Sequence, residues 1–379
     1  MRRRYRVLVS AIVALASIGL VVLLIVAGTA TLGPVGAALE SIGGAVSRLE
    51  TRTAHRLRGP GRARSMEWAA AVRTNADSLR NPSRLLLGAY DSGIPATLEG
   101  VLRVERALGV TLPLIQAYTA WGDRADQRLP LRLAEAIADL GSVPVITWEP
   151  WLADFENRLH PNLPLRHERD RGSLAAIAGG SYDFYIDEWA RDAARFGRPL
   201  MVRFAHEMND PYRYPWGPQN NSAEDFIRAW QHVVTRFRDA GASNVVWVWS
   251  PHVAYAGYEQ FYPGDEFVDW VATGALNYGT VAYWSQWWTF DEIFGQRYPA
   301  LAALGKPIMI AEFGSLSVGG ERGEWYASAL ENFEGRFPLV RALVFFHVEA
   351  DRTVTYQALD WSFLADSGAV RSIRSSLDN

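Results

Sequence analysis

The 379-residue sequence contains no cysteine and a single lysine, Lys306. Without cysteine, disulfides, thiolate nucleophiles and thiolate metal sites are excluded. The net charge of −3 is too small to indicate a nucleic-acid partner or attraction to a membrane surface. Histidine and acidic residues do not recur at the spacing of a zinc site, so neither a metal nor another cofactor is expected.

Charge is also missing from a stretch near the N-terminus, where Val7–Ala27 contains no charged residue. An apolar run of about 20 residues spans a bilayer as a helix. Arginines precede it at positions 2, 3, 4 and 6, and they predict a cytoplasmic N-terminus with the rest of the chain outside. The small residues at 28–30 also suit a signal peptide, although apolar regions of signal peptides usually have about 7–15 residues. We interpret residues 1–30 as a membrane anchor or signal peptide and expect export in both cases.

Residues 31–80 lack the regular pattern that follows them. Apolar residues repeat at helical spacing in the first half, and a Gly-Pro-Gly sequence occupies 59–61. We predict a partly helical stalk over residues 31–80, which holds a catalytic domain, residues 81–379, off the membrane.

Short apolar runs alternate with longer amphipathic segments in the remainder of the chain. The runs contain few polar residues, which is typical of buried parallel strands. They are Leu85–Ala89, Leu112–Ala117, Val143–Thr147, Leu200–Ala205, Val245–Trp249, Trp270–Leu276, Ile308–Ala311 and Ala342–Phe346. The helical segments between them include Pro95–Leu108, Leu131–Leu140, Tyr182–Phe196, Ala223–Ala240, Phe290–Leu304 and Gly323–Phe333. This order predicts an α/β fold, a (β/α)₈ TIM barrel. A doubly wound open sheet is the alternative, but the glycine-rich phosphate loop of such folds does not follow the first strand.

The reacting residues of such a barrel stand at the C-terminal ends of its strands. Aromatic, acidic and amide side chains occupy these positions: Tyr90, Asp91, Tyr118, Trp121, Trp148, Glu149, Trp151, His206, Glu207, Asn209, Trp249, His252, Asn277, Tyr278, Glu312, Phe313, His347 and Glu349. Sugar rings stack on aromatic planes, and pairs of carboxylic acids cleave glycosidic bonds. The rim therefore predicts a carbohydrate site.

Five stretches carry a family resemblance: Ile146–Trp151, Arg203–Asn209, Phe261–Asp265, Val268–Val271 and Lys306–Ser315. His-Glu-Met-Asn after the fourth strand and Ala-Glu-Phe-Gly after the seventh form a specific pair in a barrel. On these motifs the chain resembles glycoside hydrolase family 26, whose activities include β-mannanase, β-1,3-xylanase and β-glucanase. The likeness extends from about residue 85 to the C-terminus.

The resemblance implies a retaining mechanism with Glu207 as acid/base and Glu312 as nucleophile. The chemistry agrees, because one carboxyl protonates the leaving oxygen while the other attacks the sugar. Arg203 is expected to reach inward and keep Glu312 ionised. His206 and Asn209 are expected to bond sugar hydroxyls or to orient the two glutamates.

Two departures from the family pattern concern the innermost sugar subsite. The family usually has a Tyr near the end of strand six that contacts the nucleophile, and Leu276 stands in its place. Either Tyr278 or Tyr283 takes over this contact, or the nucleophile is tuned in another way. Strand eight lacks the expected Trp platform, which Phe346 or Trp284 would replace. Mannan specificity is therefore not transferred.

Other rim residues carry weaker expectations. The loop tryptophans Trp284, Trp287 and Trp288 are expected to stack on sugar with at least one ring, because large exposed apolar groups often mark ligand sites. Trp148 and Trp249 are expected to contact sugar because of their strand-end positions.

Residues close to the acid/base leave two readings open. Tyr212, Tyr214 and Trp216 either build a leaving-group subsite or pack within their loop. Glu149 and Asp91 are expected to bond substrate or pair with arginine, and not to act as catalysts.

Together these patterns predict an exported retaining glycoside hydrolase that cleaves β-glycosidic bonds in a polysaccharide of β-mannan or β-glucan type. A non-hydrolytic carbohydrate-binding barrel, or a transglycosylase in exopolysaccharide production, is the alternative. Both glutamates of the pair are present, which favours an enzyme. The expected partners are a polysaccharide or oligosaccharide and, through residues 1–30, the membrane.

Overall fold

The computed structural model describes residues 58–378. Its centre is a closed barrel of eight parallel strands in sequential order. The strands are β1 (Leu86–Asp91), β2 (Leu114–Ala120), β3 (Val143–Glu149), β4 (Leu200–Phe204), β5 (Val245–Trp249), β6 (Trp270–Asn277), β7 (Ile308–Ser315) and β8 (Val340–His347). β8 pairs with β1 over six positions and closes the barrel. The predicted (β/α)₈ barrel is confirmed, and each predicted apolar run overlaps a strand, with ends that differ by up to four residues.

Helices surround the barrel and follow most of the strands. They are α1 (Ala70–Thr74), α2 (Ala76–Arg80), α3 (Glu99–Leu108), α4 (Leu131–Asp139), α5 (Ser173–Ala178), α6 (Asp183–Phe196), α7 (Ala223–Asp239), α8 (Tyr298–Ala302), α9 (Arg322–Leu330), α10 (Phe333–Arg336) and α11 (Ser367–Leu377). Short 3₁₀ turns span Glu67–Ala69, Ala125–Gln127, Leu152–Asp154, Arg166–Glu168 and Tyr258–Phe261, and a π turn spans Asp291–Gly295. The predicted helix Phe290–Leu304 is thus divided into this π turn and α8.

Local sequence explains the longest helix, α7. Ser222 precedes it and accepts a hydrogen bond from the Asp225 amide, while the Asp225 side chain accepts one from the Ser222 amide. This reciprocal pair satisfies amides that the first turn leaves unpaired. The buried residues of α7 recur three or four positions apart and pack on the barrel: Phe226, Ala229, Trp230, Val233, Val234 and Phe237.

Side chains of each strand alternate between the barrel interior and the helix layer. The interior cluster contains Leu86, Leu114, Val143, Val145, Met201, Val246, Val248, Trp270, Ala272, Met309, Ala311, Ala342 and Val344. Most intervening strand residues pack with the helices in a second cluster. Because successive strand residues point to opposite faces, this parity decides which residues at a strand end reach the barrel mouth.

Residues 58–80 close the N-terminal end of the barrel. Met66, Ala69, Val72 and Leu79 are buried in the interior cluster, and the indole of Trp270 donates to the Leu79 carbonyl at 2.9 Å. The predicted stalk over 31–80 is therefore wrong for residues 58–80, where apolar side chains cover the open end of the barrel. The Gly-Pro-Gly sequence at 59–61 lies in a helical segment, residues 58–65.

The remaining N-terminal predictions concern residues that the structure does not describe. The predicted anchor or signal peptide, residues 1–30, and the stalk up to residue 57 lie outside the described part of the chain. Between residues 58 and 378, none of the helices combines the length and apolar character that a bilayer span requires.

Candidate active site

Two glutamates of the barrel mouth face the same small volume. Glu207 follows β4 and Glu312 lies in β7, and their exposed fractions are 6% and 9%. A Cβ atom placed on Gly274 of β6 would lie 4.0 Å from Glu207 Oε1 and 3.9 Å from Glu312 Oε2. A larger residue at this position would fill the space between the carboxylates, so glycine keeps it open.

A β-bulge turns Glu312 toward the mouth. The register of β6 with β7 shifts just before Gly274 pairs with Glu312, which leaves Ala311 as an extra residue. Ala311 belongs to the interior cluster, so the bulge lets two successive residues of β7 face inward. The Gln116 side chain donates to the Ala311 carbonyl at 3.1 Å and so holds the bulge from β2.

Glu312 is held by two donors on one oxygen. Oε1 accepts hydrogen bonds from Arg203 Nη2 at 2.7 Å and from the Tyr118 hydroxyl at 2.6 Å. Arg203 is itself fixed by Thr147 Oγ1 at 2.9 Å. Burial alone would raise the pKa of Glu312, but the charge of Arg203 and these hydrogen bonds lower it below its usual value. The expected role of Arg203 therefore agrees with the geometry.

Unusual backbone conformations at Ala205 and Glu207 orient the Glu207 side chain. Ala205 and Glu207 have φ angles of 43° and 52°, in the left-handed region that costs about 1–2 kcal/mol for residues with a side chain. The Glu207 amide donates to the Ser250 carbonyl at 2.7 Å, and the Ala205 amide donates to the Trp148 carbonyl at 3.1 Å. Hydrogen bonds to β3 and to the loop after β5 thus hold the strained turn, as is common at functional sites.

Arg213 contacts Glu207, and the sequence patterns did not single it out. Its Nη2 donates to Glu207 Oε2 at 3.0 Å and to the Tyr214 hydroxyl at 3.1 Å, and its Nε lies 3.6 Å from Asp210 Oδ2. Ligand atoms of Glu207, Asp210 and His252 lie within 4.8 Å of one another. The Arg213 guanidinium bonds Glu207 and lies beside Asp210, so a cationic side chain already contacts both carboxyls of this cluster.

His206 is a neutral side chain in this network. Burial, followed by the charges of Arg203 and Arg213, lowers its pKa well below the usual value. Its Nε2 lies 3.1 Å from the Tyr214 hydroxyl, and its Nδ1 lies 4.0 Å from Glu149 Oε1.

Glu149 is a third carboxyl at the mouth, at the end of β3. Its Oε2 accepts a hydrogen bond from Trp151 Nε1 at 3.2 Å. Burial raises the pKa of Glu149 to about 7, and the Trp151 hydrogen bond and the charge of Arg203 only partly oppose this shift. The expected pairing with arginine is not seen, since Glu149 forms no ion pair with an arginine of residues 58–378.

Comparison with known proteins identifies a family whose model covers the segment that contains both glutamates. The model of glycosyl hydrolase family 26 matches residues 182–316, which include Glu207 and Glu312. Endoglucanase H from Acetivibrio thermocellus is 30% identical over 308 residues, which make up 77% of this chain and 31% of that protein. The chain belongs to glycoside hydrolase family 26. It spans less than a third of the length of endoglucanase H.

Solved structures of the family share the fold. GH26C from Muricauda sp. superposes with a TM-score of 0.59 at 16% identity, over 81% of this chain and 91% of that one. A GH26 beta-mannanase from Bacteroides ovatus gives a TM-score of 0.55 at 16% identity, over 79% and 90%. At such low sequence identities, the similarity shows only that the barrel fold is shared.

The first departure from the family-26 pattern is compensated by a different strand. Leu276 packs in an apolar cluster with Phe346 and Trp361, and the hydroxyl on Glu312 comes from Tyr118 of β2. The expected substitutes do not supply it: Tyr283 is fully exposed, and Tyr278 packs against Trp361 with a centroid distance of 4.9 Å. Of the alternatives predicted from the sequence, the structure therefore agrees with the last, in which neither Tyr278 nor Tyr283 contacts Glu312 and another residue, Tyr118, bonds it.

A tryptophan does lie beside the end of β8, although it comes from the following loop. Trp361 is fully buried, packs 6.1 Å from Phe346, and donates its indole N–H to Asp351 Oδ2 at 2.9 Å. Phe346 itself is 8% exposed and packs 5.7 Å from Tyr90. The end of β8 thus presents Phe346 to the mouth, with Trp361 as a support behind it.

Two of the predicted sugar-binding tryptophans do not reach the mouth. Trp148 is fully buried in the helix layer, with Trp189 at a centroid distance of 4.4 Å. Trp249 is also fully buried and packs 5.1 Å from Tyr262. Both predictions are wrong, because strand parity turns these two positions outward while Glu149 and Ser250 follow on the inward face.

The aromatic residues that follow Glu207 pack mainly within their own loop. Trp216 is 1% exposed, stacks on Tyr214 at 4.6 Å, and donates to the His206 carbonyl at 2.8 Å, so its predicted contact with substrate is wrong. Tyr212 remains open, at 78% exposed.

Asn209 is committed to the neighbouring loop. Its Nδ2 donates to the His252 carbonyl at 2.9 Å, and its Oδ1 accepts from the His252 amide at 2.8 Å. Each polar group of the side chain makes one of these bonds, so Asn209 orients the loop after β5, and its contact with sugar stays a prediction.

One of the loop tryptophans is open to a ligand. Trp284 is 41% exposed and stands edge-on to Tyr278, with a centroid distance of 5.3 Å. Trp287 packs closely over Gly320, and the Trp288 carbonyl accepts from the Trp325 indole at 2.9 Å. Trp284 and Tyr278 therefore stay as the predicted aromatic contacts on the β6 side of the mouth.

Proposed function

We propose that this family-26 protein hydrolyses internal β-glycosidic bonds of a polysaccharide by double displacement, with net retention of configuration. One observation carries the proposal: Glu207 Oε1 and Glu312 Oε2 both lie within 4.0 Å of the same point above Gly274. Two carboxyls that face one small volume can act on the same glycosidic bond, and the retaining mechanism that is general to family 26 supports direct attack by one of them.

The electrostatic environment of Glu312 suits the nucleophile. Arg203 and Tyr118 keep it ionised in a buried site. Both donors bind Oε1, which leaves Oε2 on the side of Gly274 for attack on the anomeric carbon. The bond to the leaving oxygen then breaks and a glycosyl–Glu312 ester forms.

Glu207 is placed for the proton transfers. Arg213 holds its Oε2, and its Oε1 faces the volume shared with Glu312. In the first step Glu207 gives a proton to the leaving oxygen. In the second step it takes a proton from water, whose oxygen attacks the anomeric carbon and releases Glu312.

We propose a β-glucan as the polysaccharide. The similarity to endoglucanase H covers 77% of this chain, and Leu276 replaces a tyrosine of the usual family pattern. Barley β-glucan, carboxymethylcellulose, mannan and β-1,3-xylan should therefore be compared, with the fastest release of reducing ends from a glucan. Faster cleavage of mannan would contradict this substrate class but would leave the mechanism standing.

Stereochemistry and azide rescue test the mechanism. Proton NMR should show the β-anomer as the first product. With Glu312→Ala, azide should restore turnover of a dinitrophenyl β-glycoside and give the α-glycosyl azide, whereas with Glu207→Ala it should give the β-glycosyl azide. Glu349→Ala, at an exposed glutamate after β8, is the matched control and should resemble the wild type. Wild-type turnover in either active-site variant, or an α-anomer as the first product, would refute the assignment.

We also propose that the catalytic domain lies outside the cytoplasm. The support is the arginine-rich start of the chain followed by the uncharged segment Val7–Ala27. An enzyme tethered in this way would act on polysaccharide close to its own cell surface.

A further inference from the structure

Glu149 is a partly buried carboxyl of the barrel mouth that the double displacement does not use. Its side chain is 17% exposed and lies at the inward end of β3. The hydrogen bond from the Trp151 indole occupies Oε2, and Oε1 points toward His206.

The cations of the site are already matched to the other two carboxyls. Arg203 pairs with Glu312 at 2.7 Å, and Arg213 pairs with Glu207 at 3.0 Å. Neither arginine forms an ion pair with Glu149, which is a further carboxyl in the same partly buried space. An ionised carboxyl without a partner is strongly disfavoured in such surroundings, and protonation removes the charge.

The groups around Glu149 from the neighbouring elements support this charge count. They are Tyr90 from β1, Arg203, His206, Glu207 and Tyr214 from β4 and its loop, and Glu312 from β7. Glu207 and Glu312 repel a charge on Glu149, His206 is neutral, and Arg203 acts only at longer range because Glu312 takes its hydrogen bond. The pKa of about 7 agrees with a Glu149 that is mostly protonated in mildly acidic solution and loses its proton as the pH rises through neutrality.

His206 supplies a second unused group at the same place. Its ring is 2% exposed, and Nδ1 has no hydrogen-bond partner among residues 58–378. The distance of 4.0 Å from Nδ1 to Glu149 Oε1 is too long for a direct hydrogen bond. A buried polar atom without a partner is unfavourable, so this pair is suited to a ligand that bonds both groups.

A sugar hydroxyl has the required chemistry, because it donates one hydrogen bond and accepts others. We propose that Glu149 in its protonated form and His206 together bind one hydroxyl of the sugar at the cleavage site, which makes Glu149 a specificity-determining residue. This inference rests on the proposed glycosidase function. Protonated Glu149 donates to the hydroxyl or accepts from it, and His206 Nδ1 takes the complementary role in whichever tautomer is present.

Substitution kinetics test the protonated state. Glutamine keeps the shape and hydrogen bonding of a protonated glutamate, so Glu149→Gln should retain kcat/KM at pH 6 within about threefold of the wild type. Glu149→Ala should lose about 10–100-fold, as expected for a lost buried hydrogen bond. As the pH rises through about 7, the wild type should lose activity relative to Glu149→Gln. Equal damage by both substitutions at pH 6, or no damage by Glu149→Ala, would overturn the proposal.

Asp91→Asn is the matched control. Asp91 is also a buried carboxyl at a strand end, but its Oδ1 accepts from the Gly93 amide at 2.9 Å and its position faces the helix layer. This variant should keep the wild-type pH profile. If Asp91→Asn shifted the pH profile as much as Glu149→Gln does, the effect would come from the net charge of the barrel mouth. That outcome would contradict the specific role of Glu149.

Deoxy substrates test the ligand. Wild type and Glu149→Ala should be compared on monodeoxy dinitrophenyl β-cellobiosides that each lack one hydroxyl of the sugar at the bond. For the substrate that lacks the hydroxyl bound by Glu149, Glu149→Ala should cause almost no further loss of kcat/KM. The reason is that the contact which the substitution removes is already missing from that substrate. Additive losses for every deoxy substrate would overturn the hydroxyl contact.

A measurement without turnover separates this inference from the proposed function. In protein with ¹³C-labelled glutamate carboxyls, the resonance absent from Glu149→Gln should titrate with a midpoint near 7. A midpoint below about 5, close to the ordinary value of glutamate, would overturn the protonated state. A failure of the wild type to cleave any glycan would instead refute the hydrolase proposal, and the NMR titration would still decide the state of Glu149.

Discussion

The hydroxyl of Tyr118 donates to Glu312 Oε1 at 2.6 Å, and this contact joins β2 to β7 across the barrel mouth. Tyr118 also accepts from Gln116 Nε2 at 3.1 Å, and Gln116 bonds the carbonyl of the bulge residue Ala311. One side-chain network therefore sets both the direction of Glu312 and its charge. The tyrosine that usually comes from strand six in the family has its counterpart here on strand two.

Tyr118→Phe should lower kcat/KM by about 10–100-fold, since hydrogen bonds to charged groups contribute about 1.5–3 kcal/mol. The ring packing against Tyr90 stays, so the free energy of unfolding should change little. Steady-state kinetics and urea unfolding check the two effects. Tyr262→Phe removes a hydroxyl bonded to Asp265 and should leave activity unchanged. Activity close to the wild type in Tyr118→Phe would show that the contact does not tune the nucleophile.

Arg203→Met should raise the pKa of Glu312, because the arginine charge is the chief effect that opposes burial. The nucleophile must be ionised, so its lowered pKa keeps activity at acidic pH, and that activity is lost as the pH falls through the folded-state value. Without Arg203, the acidic limb of the kcat/KM profile should move to higher pH, with a loss of about 100-fold or more at its maximum. An unmoved acidic limb would mean that Glu312 does not limit activity there.

Ala205→Gly should stabilise the protein by about 0.5–1 kcal/mol, since glycine adopts positive φ without the Cβ penalty. The reason is the φ angle of 43° at Ala205. Ala193→Gly within α6 is the control and should destabilise by about 1 kcal/mol, because helical φ gives glycine no advantage. Chemical denaturation measures both. Equal destabilisation by the two substitutions would show that the backbone at 205 stores no strain.

Trp284→Ala and Trp148→Ala should fail in different ways. Trp284 is exposed beside Tyr278, so its loss should raise KM by about tenfold and leave stability unchanged. A ring stacked on an aromatic side chain contributes about 1–3 kcal/mol, as measured for nucleobases. Trp148 is buried, so its loss should lower the free energy of unfolding by about 3–5 kcal/mol. Oligosaccharide titration and urea unfolding distinguish the two. Unchanged KM in Trp284→Ala would remove it from the binding site.

The N-terminal segment predicts a location. Protease added to intact cells should digest the barrel, and carbonate washing should leave the full-length chain in the membrane, because Val7–Ala27 is long enough to span. A variant with the four leading arginines replaced by glutamate should lose this orientation. A soluble protein in the medium, beginning near residue 31, would show that the segment is a cleaved signal peptide.

Much of the fold and the central pair of glutamates followed from sequence because their signals are local. Unbroken apolar runs predict buried parallel strands with chemistry at their ends, and the resemblance to family 26 implied Glu207 and Glu312 among the rim residues. The same reasoning misplaced Trp148 and Trp249, since it considered nearness to the strand end and ignored parity. Counting alternate positions back from Glu149 would have turned Trp148 outward.

Other features depend on contacts between distant parts of the chain. Residues 58–80 were predicted to form a stalk because short helices show little hydrophobic periodicity. In the structure they cover the N-terminal end of the barrel. Arg213 reaches Glu207 through the fold of its loop, and Trp361 comes to the end of β8 from the loop beyond it. Neither position has a sequence signal of its own.

The sequence by itself determined the barrel and its aromatic and acidic rim, because strand periodicity and residue chemistry are local properties of the chain, and its resemblance to family 26 implied the pair Glu207 and Glu312. Only the tertiary structure decided what surrounds each carboxyl. It added a bulge at Ala311, brought Tyr118 and Arg203 to Glu312, and gave Glu149 no ion pair with an arginine of residues 58–378. Charge and protonation depend on distances of a few ångströms between strands that are far apart in sequence, and such distances exist only once the barrel has closed.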